Sequence, residues 1–251
     1  MSATNTTSTL AYWDIIGFAQ PIRYLLKYAG IDFNDKRYVF SNEKEWQSVK
    51  STLGLDFPNL PYYIDGDIKL TQSLAILRYL GRKHRLVATD DQTLVRQDMA
   101  EQQIQDMRDG LFNIIMNPDY ETREADYCTG TLEPQLDLLV KFMGDKEWLS
   151  GQLSYVDFMA YEILDWFRLF SSDTIAKYPV ITRYMARFEV ECKVGQPNPV
   201  GTWARPTRTG FGRVWARAAK RPPFGGLSYN RALKKQSSRG SQEDNVMSSQ
   251  K

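Results

Sequence analysis

The feature that most constrains the fold is the order of strand-like and helix-like segments over the first 84 residues. β-formers and apolar residues at helical spacing alternate there, with turn residues between them. They predict strand, helix, strand, short helix, strand, strand and helix over residues 9–15, 20–30, 35–40, 41–52, 62–64, 68–70 and 72–83. The segment before residue 52 is polar and fits a helix least well. This order predicts an α/β module in which helices cover a single sheet.

Turn and cap residues mark the ends of these segments. Pro21 falls in the first turn of its helix, where a missing N–H costs nothing, and Gly30 fits the C-terminal cap. Residues 65–67, Asp-Gly-Asp, have the chemistry of a hairpin turn, and Thr71 is predicted to cap the helix that follows.

One proline bears on the fold class. Pro61 stands immediately before a strand, and with this order of elements it indicates a thioredoxin-like domain. In such folds the proline is typically cis and shapes a backbone edge that can pair with a peptide. Judged by pattern alone, an ordinary trans turn proline is about equally consistent. The sequence holds no Cys-x-x-Cys motif, so thiol–disulfide exchange by the protein itself is not predicted.

The next hundred residues predict an all-helical domain. Apolar residues recur at helical spacing over 92–117, and a helix over 121–143 is expected to kink or break at Pro134. A capping box at residues 154–157 opens a strongly apolar helix that ends near residue 170, and one more helix spans 179–189. The predicted boundaries of the α/β domain, the linker and the helical domain are 8–84, 85–91 and 92–191.

The sequence changes character after this domain. Twelve basic and two acidic residues lie from Lys193 onward, whereas residues 1–192 hold 20 basic and 28 acidic residues. The tail, residues 192–251, is rich in Gly, Pro and Arg without an apolar period, so it is predicted to be disordered. The change is abrupt enough to make an alternative exon or a reading-frame error a reasonable hypothesis.

Composition excludes several classes of protein and site. No apolar run approaches the ~20 residues of a membrane span, and the polar N-terminus predicts no signal peptide. Two cysteines, Cys128 and Cys192, cannot form a disulfide framework, so a cytoplasmic location is expected. With His84 as the single histidine, we expect neither a metal site nor a histidine-based triad.

Five longer sequence motifs, taken in order along the chain, resemble those of a known protein family. They are YWDI at 12–15, AQPIRYLL at 19–26, LGLDFPNLPY at 53–62, TQSLAILRYLGRKH at 71–84 and SYVDF at 154–158. In this order they resemble the mu-class glutathione transferases, and the mite and tick members most, over about residues 9–190. The resemblance implies a thioredoxin-like N-terminal domain, an all-helical C-terminal domain and usually a homodimer.

The resemblance also implies an activity. Members conjugate the thiolate of reduced glutathione to small hydrophobic electrophiles, with glutathione as co-substrate and no cofactor. A thiol with a pKa of about 8.5 is mostly protonated at neutral pH, and only the thiolate is a good nucleophile. Tyr12 matches the catalytic tyrosine, whose hydroxyl donates a hydrogen bond to the sulfur and so favours the thiolate. Without the surrounding motif, simple packing in a strand would be the expectation for this tyrosine.

Further glutathione-binding residues follow from the same motifs. Trp13 matches a residue that lines the site, and Trp46 and Lys50 match the pair at the glycine end, where a cation suits a carboxylate. Asn59 and the backbone of Leu60 match the edge that pairs with the cysteinyl backbone.

The other end of glutathione and the dimer account for the remaining matches. Gln72 and Ser73 match the site of the γ-glutamyl end, at a helix N-terminus that favours a carboxylate. Asp106 matches an acid that the partner subunit supplies to the ligand ammonium. Phe57 matches an aromatic residue that inserts into the other subunit, and Arg78 matches a dimer-interface arginine.

Several positions depart from the family pattern. Ile16 replaces a usual arginine, and the loop before Trp46 is about five residues shorter than is typical. Phe18 keeps the electrophile pocket wall apolar, but Met116 stands where vertebrate members have a tyrosine that reaches the electrophile. After residue 189 the basic tail replaces an ordered segment that closes this pocket in the family.

Three functions remain open at this point. The first is an active transferase, which Tyr12 and the matched binding residues favour. The second is a carrier that binds glutathione or hydrophobic ligands with little or no turnover, which the altered loop and tail favour. The third is binding of the tail to nucleic acid or acidic surfaces; no nucleic-acid-binding module is recognisable, so it ranks last.

Overall fold

The computed structural model describes residues 7–117 and 119–194, and the first part of the chain forms a four-stranded sheet. The strands are β1 (Ser8–Trp13), β2 (Phe33–Tyr38), β3 (Tyr62–Asp65) and β4 (Ile68–Thr71). They lie in the order β2-β1-β3-β4; β1 and β2 are parallel, whereas β3 is antiparallel to both β1 and β4. This mixed sheet confirms the predicted thioredoxin-like α/β domain.

Three helices accompany the sheet: α1 (Gln20–Tyr28), α2 (Glu43–Val49) and α3 (Ser73–Lys83). Pro21 lies in the first turn of α1, and Gly30 follows the helix with a φ of 68° that glycine adopts readily. α1 connects the parallel strands β1 and β2, as parallel pairing requires. The Leu60–Pro61 peptide bond before β3 is cis, in agreement with the thioredoxin-like interpretation.

Three local predictions in this domain are wrong. The first strand ends at Trp13 rather than at Ile15. The second strand ends at Tyr38 rather than at Phe40, because its pairing with β1, from Ser8 opposite Phe33 onward, fixes its limits. Thr71 is the last residue of β4 and does not cap α3; Gln72 holds the N-cap position with a φ of 69° and makes no capping bond. The ambiguous segment before residue 52 does contain a helix, α2.

The rest of the described chain is helical. Its helices are α4 (Asp91–Ile115), α5 (Tyr120–Tyr127), α6 (Glu133–Met143), α7 (Tyr155–Phe170), α8 (Ser172–Ala176) and α9 (Pro179–Glu191). The break expected near Pro134 is a π-helical turn, Cys128–Leu132, that joins α5 to α6. The short α8 is absent from the sequence predictions, because five residues are too few to establish a period.

The apolar helix α7 forms the centre of the helical domain. All residues from Tyr155 to Phe167 are buried. α7 packs against α4 and α9 of its own domain and against α1 and α3 of the α/β domain. One helix therefore supports both sides of any cleft between the two domains.

A capping box fixes the start of α7, as predicted. The backbone N–H of Ser154 donates to Asp157 Oδ2 at 2.8 Å, and its hydroxyl donates to the same oxygen at 3.0 Å. Asp157 also accepts the Leu149 backbone N–H at 3.1 Å and the Tyr184 hydroxyl at 3.0 Å. Burial raises the pKa of Asp157 to about 6, although these donors act in the opposite direction.

Ser154→Ala is expected to lower the free energy of unfolding by about 1–2 kcal/mol, because it removes a buried hydrogen bond at the helix start. Ser172→Ala is the control: this serine is exposed at the start of α8, so a change of less than about 0.5 kcal/mol is expected. Denaturant unfolding of both variants checks the prediction. Equal losses of stability would contradict the capping role.

Most of the predicted disordered tail, residues 195–251, lies outside the described residues. Within the described ranges, no helix combines the length and the apolar character that crossing a membrane requires.

Candidate active site

Tyr12 lies next to the end of β1, where the chain turns toward α1. Its side chain is buried; the Phe18 backbone N–H approaches its hydroxyl oxygen, but its O–H finds no acceptor among the residues that the structure describes. Burial raises the pKa of Tyr12 to about 12, although the Phe18 backbone N–H and the charges of Arg23 and Arg108 oppose the rise. The phenol is therefore protonated at neutral pH, and its O–H is available to a ligand acceptor.

The loop after β1 closes on the Tyr12 ring at Gly17. This glycine has a φ of 45°, and a Cβ built on it would lie 2.7 Å from Tyr12 Cε1 and 3.0 Å from the hydroxyl oxygen. A side chain at this position would thus need a left-handed backbone and would clash with the tyrosine. Because Gly17 has no side chain, the loop can pack directly against the ring and the hydroxyl of Tyr12.

A buried arginine holds the same loop from the other side. Arg23 is 2% exposed and donates to the carbonyl oxygens of Ile15 at 3.0 Å and Ile16 at 3.2 Å. Its Nε also pairs with Asp35 Oδ1 at 3.1 Å. Sequence reasoning missed this residue, but a signal existed: Arg23 falls on the buried stripe of α1, next to Ile22 and one turn before Leu26.

The two tryptophans predicted to meet glutathione belong to one aromatic cluster. Trp46 is buried, with ring centroids 5.6 Å from Tyr38 and 6.0 Å from Tyr62. Trp13 is 6.5 Å from Tyr38 and stacks on Phe40 at 4.8 Å. The structure thus brings the end of β1, α2 and β3 together around these rings.

Lys50 follows this cluster at the C-terminus of α2. It is partly exposed and makes no ion pair among the described residues. Its ammonium is consequently open to an anionic group.

The backbone edge before β3 is partly occupied. The Leu60 N–H donates to the Asn59 side-chain oxygen at 2.9 Å. Asn59 is exposed, whereas Leu60 is buried beside the cis peptide bond. A peptide that pairs with this N–H would have to displace the asparagine side chain.

The start of α3 lies at one end of a cleft. Gln72 is exposed at the N-cap, and Ser73 is the first helical residue and lines the cleft. Free backbone N–H groups and the helix dipole at this end favour a carboxylate. This placement agrees with a site for an anionic end of a ligand.

The cleft runs between the α/β domain and the helical domain. It is open to solvent, with about 450 Å³ of free space that includes its mouth, and its walls come from α1, α3, α4 and α7 and the loop before α1. Most of its lining is apolar, and Arg108, Gln105 and Glu162 are the polar groups from the helical side. The predicted residues Phe18 and Ser73 line it together with Gly17, the neighbour of the Tyr12 ring.

Other predicted residues lie apart from this cleft. Asp106 is exposed on α4, and Met116 is 39% exposed just after α4 and does not line the cleft. Phe57 is 72% exposed in the loop before β3. None of these three residues lines the cleft.

Arg78 has a partner within its own chain. Its Nε donates to Glu101 Oε2 at 2.8 Å, and Tyr155 donates its hydroxyl to the same oxygen at 2.5 Å. Glu101 is fully buried, whereas the Arg78 side chain is 45% exposed. The pair joins α3 to α4, and a role for Arg78 at a dimer interface stays a prediction.

No group of three or more His, Cys, Asp or Glu residues with metal-binding geometry occurs among the described residues. The candidate site combines a tyrosine hydroxyl, an apolar cleft and groups suited to anions. Its chemistry suits donation of a hydrogen bond to a bound nucleophile, rather than attack by a nucleophile that the chain supplies.

Two family models match the chain in succession. They are the N-terminal domain of glutathione S-transferase, over residues 8–82, and the C-terminal domain of glutathione S-transferase, over residues 105–195. The chain belongs to the glutathione S-transferase family. The exact limits of its domains, predicted as 8–84, 85–91 and 92–191, stay predictions.

Individual relatives agree with this assignment. The transferase is 44% identical to a glutathione S-transferase of Dermatophagoides pteronyssinus over 72% of this chain and 84% of that protein. It is 42% identical to glutathione S-transferase Mu 2 of Rattus norvegicus over 72% of this chain and 85% of that protein. The crystal structure of the glutathione S-transferase Blo t 8 matches with a TM-score of 0.69 and 43% identity, over 74% of this chain and 89% of that one. The resemblance to mu-class and mite transferases is thereby confirmed.

Proposed function

We propose that this transferase conjugates the thiolate of reduced glutathione to small hydrophobic electrophiles and serves detoxification. The observation that carries the proposal is the Tyr12 hydroxyl, which is buried, protonated and without an acceptor for its O–H among the described residues, next to Gly17 on the wall of an apolar cleft. A buried donor that lacks a partner is costly unless a ligand satisfies it. A sulfur anion held next to this hydroxyl would do so.

The reaction follows from this hydrogen bond. The glutathione thiol loses its proton to solvent, and the Tyr12 O–H donates to the resulting thiolate. The sulfur then forms a bond to an electrophilic carbon in the cleft, and a leaving group departs with the electron pair. Each pKa unit by which the thiol is lowered corresponds to ~1.4 kcal/mol of stabilisation of the thiolate.

Glutathione would span the groups around Tyr12. We assign its glycine carboxylate to Lys50, next to Trp46, and its γ-glutamyl end to the start of α3 at Gln72 and Ser73. Trp13 would line the site, and the edge at Asn59 and Leu60 would pair with the cysteinyl backbone. Phe18 would lie at the electrophile side, where it already lines the cleft; Met116, which does not, is retained only as an outer candidate.

Conjugation of glutathione to chlorodinitrobenzene, followed by absorbance of the product, tests the proposal. Saturable turnover by the folded protein supports the transferase. Binding of glutathione without turnover would contradict it and favour the carrier. The third function, binding through the basic tail, concerns residues outside the described ranges.

We also propose a cytoplasmic homodimer. Both cysteines of the described chain are free and buried, which suits a reducing compartment. Phe57 exposes most of its ring, and Val95 and Met99 on α4 expose more than half of their surface. Large exposed apolar residues of this kind often mark an interface, and in the dimer Asp106 of one subunit would complete the glutathione site of the other.

Phe57→Ser is expected to shift the transferase from dimer to monomer at micromolar concentration, because it removes a large exposed aromatic anchor. Sedimentation velocity measures the change. Leu138→Ser serves as the control, since Leu138 is also an exposed apolar residue but lies on α6. An unchanged dimer in Phe57→Ser, or equal dissociation of both variants, would contradict the assigned interface.

A further inference from the structure

Arg108 is a cation on the wall of the cleft that the matched motifs do not include. It lies on α4, and its guanidinium carbon is 4.8 Å from the centroid of the Phe18 ring. Its Nε and Nη2 contact Asp109 Oδ1 at 3.3 Å and 3.2 Å, but the Asp109 side chain is 64% exposed. Such an exposed pair of neighbours contributes little, so Arg108 can still pair with an anion in the cleft.

The wall beside Arg108 suits a flat apolar body. The Phe18 and Phe112 rings lie 5.6 Å apart, and Phe112 and Trp166 lie 5.3 Å apart, which gives a row of three aromatic rings. Phe18 and Trp166 both line the cleft. An aromatic ligand in the cleft would bury apolar surface against these two rings, which Phe112 supports from behind the lining.

A second polar group lies one turn before Arg108. Gln105 lines the same cleft, and its side-chain oxygen is buried without a hydrogen-bond partner among the described residues. The α4 side of the cleft thus offers a cation and an amide to a ligand. This arrangement suits a polar substituent on an otherwise apolar molecule.

The negatively charged residue that lines the cleft, Glu162, belongs to a different helix, α7. Glu162 of α7 accepts a hydrogen bond from Trp166 Nε1 at 2.7 Å. An anionic substituent would therefore be favoured at the α4 side and disfavoured near α7. The positive charge of Arg108 also acts to lower the pKa of Tyr12, so its field reaches the reacting centre.

We propose that Arg108 is a specificity-determining residue that selects aromatic electrophiles with an anionic substituent. The substituent pairs with the guanidinium while the ring lies against Phe18. This inference rests on the proposed conjugation and names a substrate class for it. The selection lowers the free energy of the anionic substrate in the cleft relative to a neutral substrate of the same shape.

A matched pair of electrophiles tests the selection: para-chloro-meta-nitrobenzoate and the corresponding benzamide. In both, the glutathione sulfur bonds to the carbon that bears chlorine, chloride leaves with the electron pair, and the thiol proton goes to the buffer. Arg108→Gln is expected to lower the benzoate-to-benzamide ratio of kcat/KM about tenfold, the scale of one charge-assisted hydrogen bond. Arg108→Lys, which keeps the charge, is expected to restore most of the ratio.

Arg123→Gln is the control, because it removes the same charge from an exposed position on α5. An unchanged ratio in Arg108→Gln, or an equal change in Arg123→Gln, would overturn the proposal.

Binding without chemistry separates this inference from the conjugation itself. meta-Nitrobenzoate and meta-nitrobenzamide lack the leaving group, and quenching of tryptophan fluorescence measures their Kd values. Arg108→Gln is expected to weaken the benzoate about tenfold and to leave the benzamide nearly unchanged. That result without any turnover would contradict the conjugation and support the selectivity, whereas equal effects on both ligands would overturn the selectivity whether or not turnover occurs.

Discussion

Tyr12→Phe is expected to lower kcat/KM for conjugation of glutathione at neutral pH by about 25-fold. The substitution removes one oxygen and the hydrogen bond to sulfur that it would donate. If that bond lowers the thiol pKa from about 8.5 to about 6.5, its loss decreases the thiolate fraction at pH 7 from about three quarters to about 3%, which is about 25-fold. Steady-state kinetics with chlorodinitrobenzene measure the effect.

The same substitution is expected to leave the fold intact. The O–H is buried without an acceptor among the described residues, so removal of the hydroxyl is expected to change the free energy of unfolding by no more than ~1 kcal/mol. Tyr63→Phe is the control, because Tyr63 is an equally buried tyrosine on β3. Wild-type turnover in Tyr12→Phe, or the same loss in Tyr63→Phe, would contradict the assigned role.

Gly17→Ala is expected to lower kcat/KM by about 10- to 100-fold, because displacement of a catalytic group by about 1 Å has effects of that order. The new Cβ would lie 2.7 Å from the Tyr12 ring, so the ring or the loop must move. We also expect a decrease of about 1–3 kcal/mol in the free energy of unfolding, because the backbone is left-handed at this position.

Gly30→Ala separates the effect of the left-handed backbone from the effect of the contact with Tyr12. Gly30 has a φ of 68°, but a Cβ there meets no atom within 4 Å. This variant is expected to lose about 1 kcal/mol of stability and to keep its activity. If Gly17→Ala and Gly30→Ala have the same kinetics, the contact with Tyr12 does not matter for catalysis.

Local patterns predicted the parts of the fold that depend on neighbouring residues. The order of strands and helices, the break near Pro134 and the capping box of Ser154 and Asp157 all depend on short stretches of chain. The limits of β2 and the cap of α3 did not follow. Pairing with β1 fixes the limits of β2, and Gln72 rather than Thr71 holds the N-cap position of α3.

The residues of the candidate site were likewise only partly predictable from the sequence. Tyr12, Phe18 and Ser73 follow from motifs, and the structure places all three at or next to the cleft. Arg108 lies on α4 and Glu162 on α7, and α7 packs against α4, α1 and α3, which joins residues far apart in sequence. A single sequence carries no local signal for that packing, so the helical side of the cleft required the structure.

The central claim is that Tyr12 turns the thiol of bound glutathione into a thiolate at neutral pH. Titration of the ultraviolet absorbance of the thiolate, with glutathione bound to wild type and to Tyr12→Phe, tests it most directly. In wild type the thiol pKa is expected to lie well below the value of about 8.5 for a free thiol, and in Tyr12→Phe close to it. A wild-type complex that titrates like free glutathione, or an equally low pKa in Tyr12→Phe, would contradict the claim.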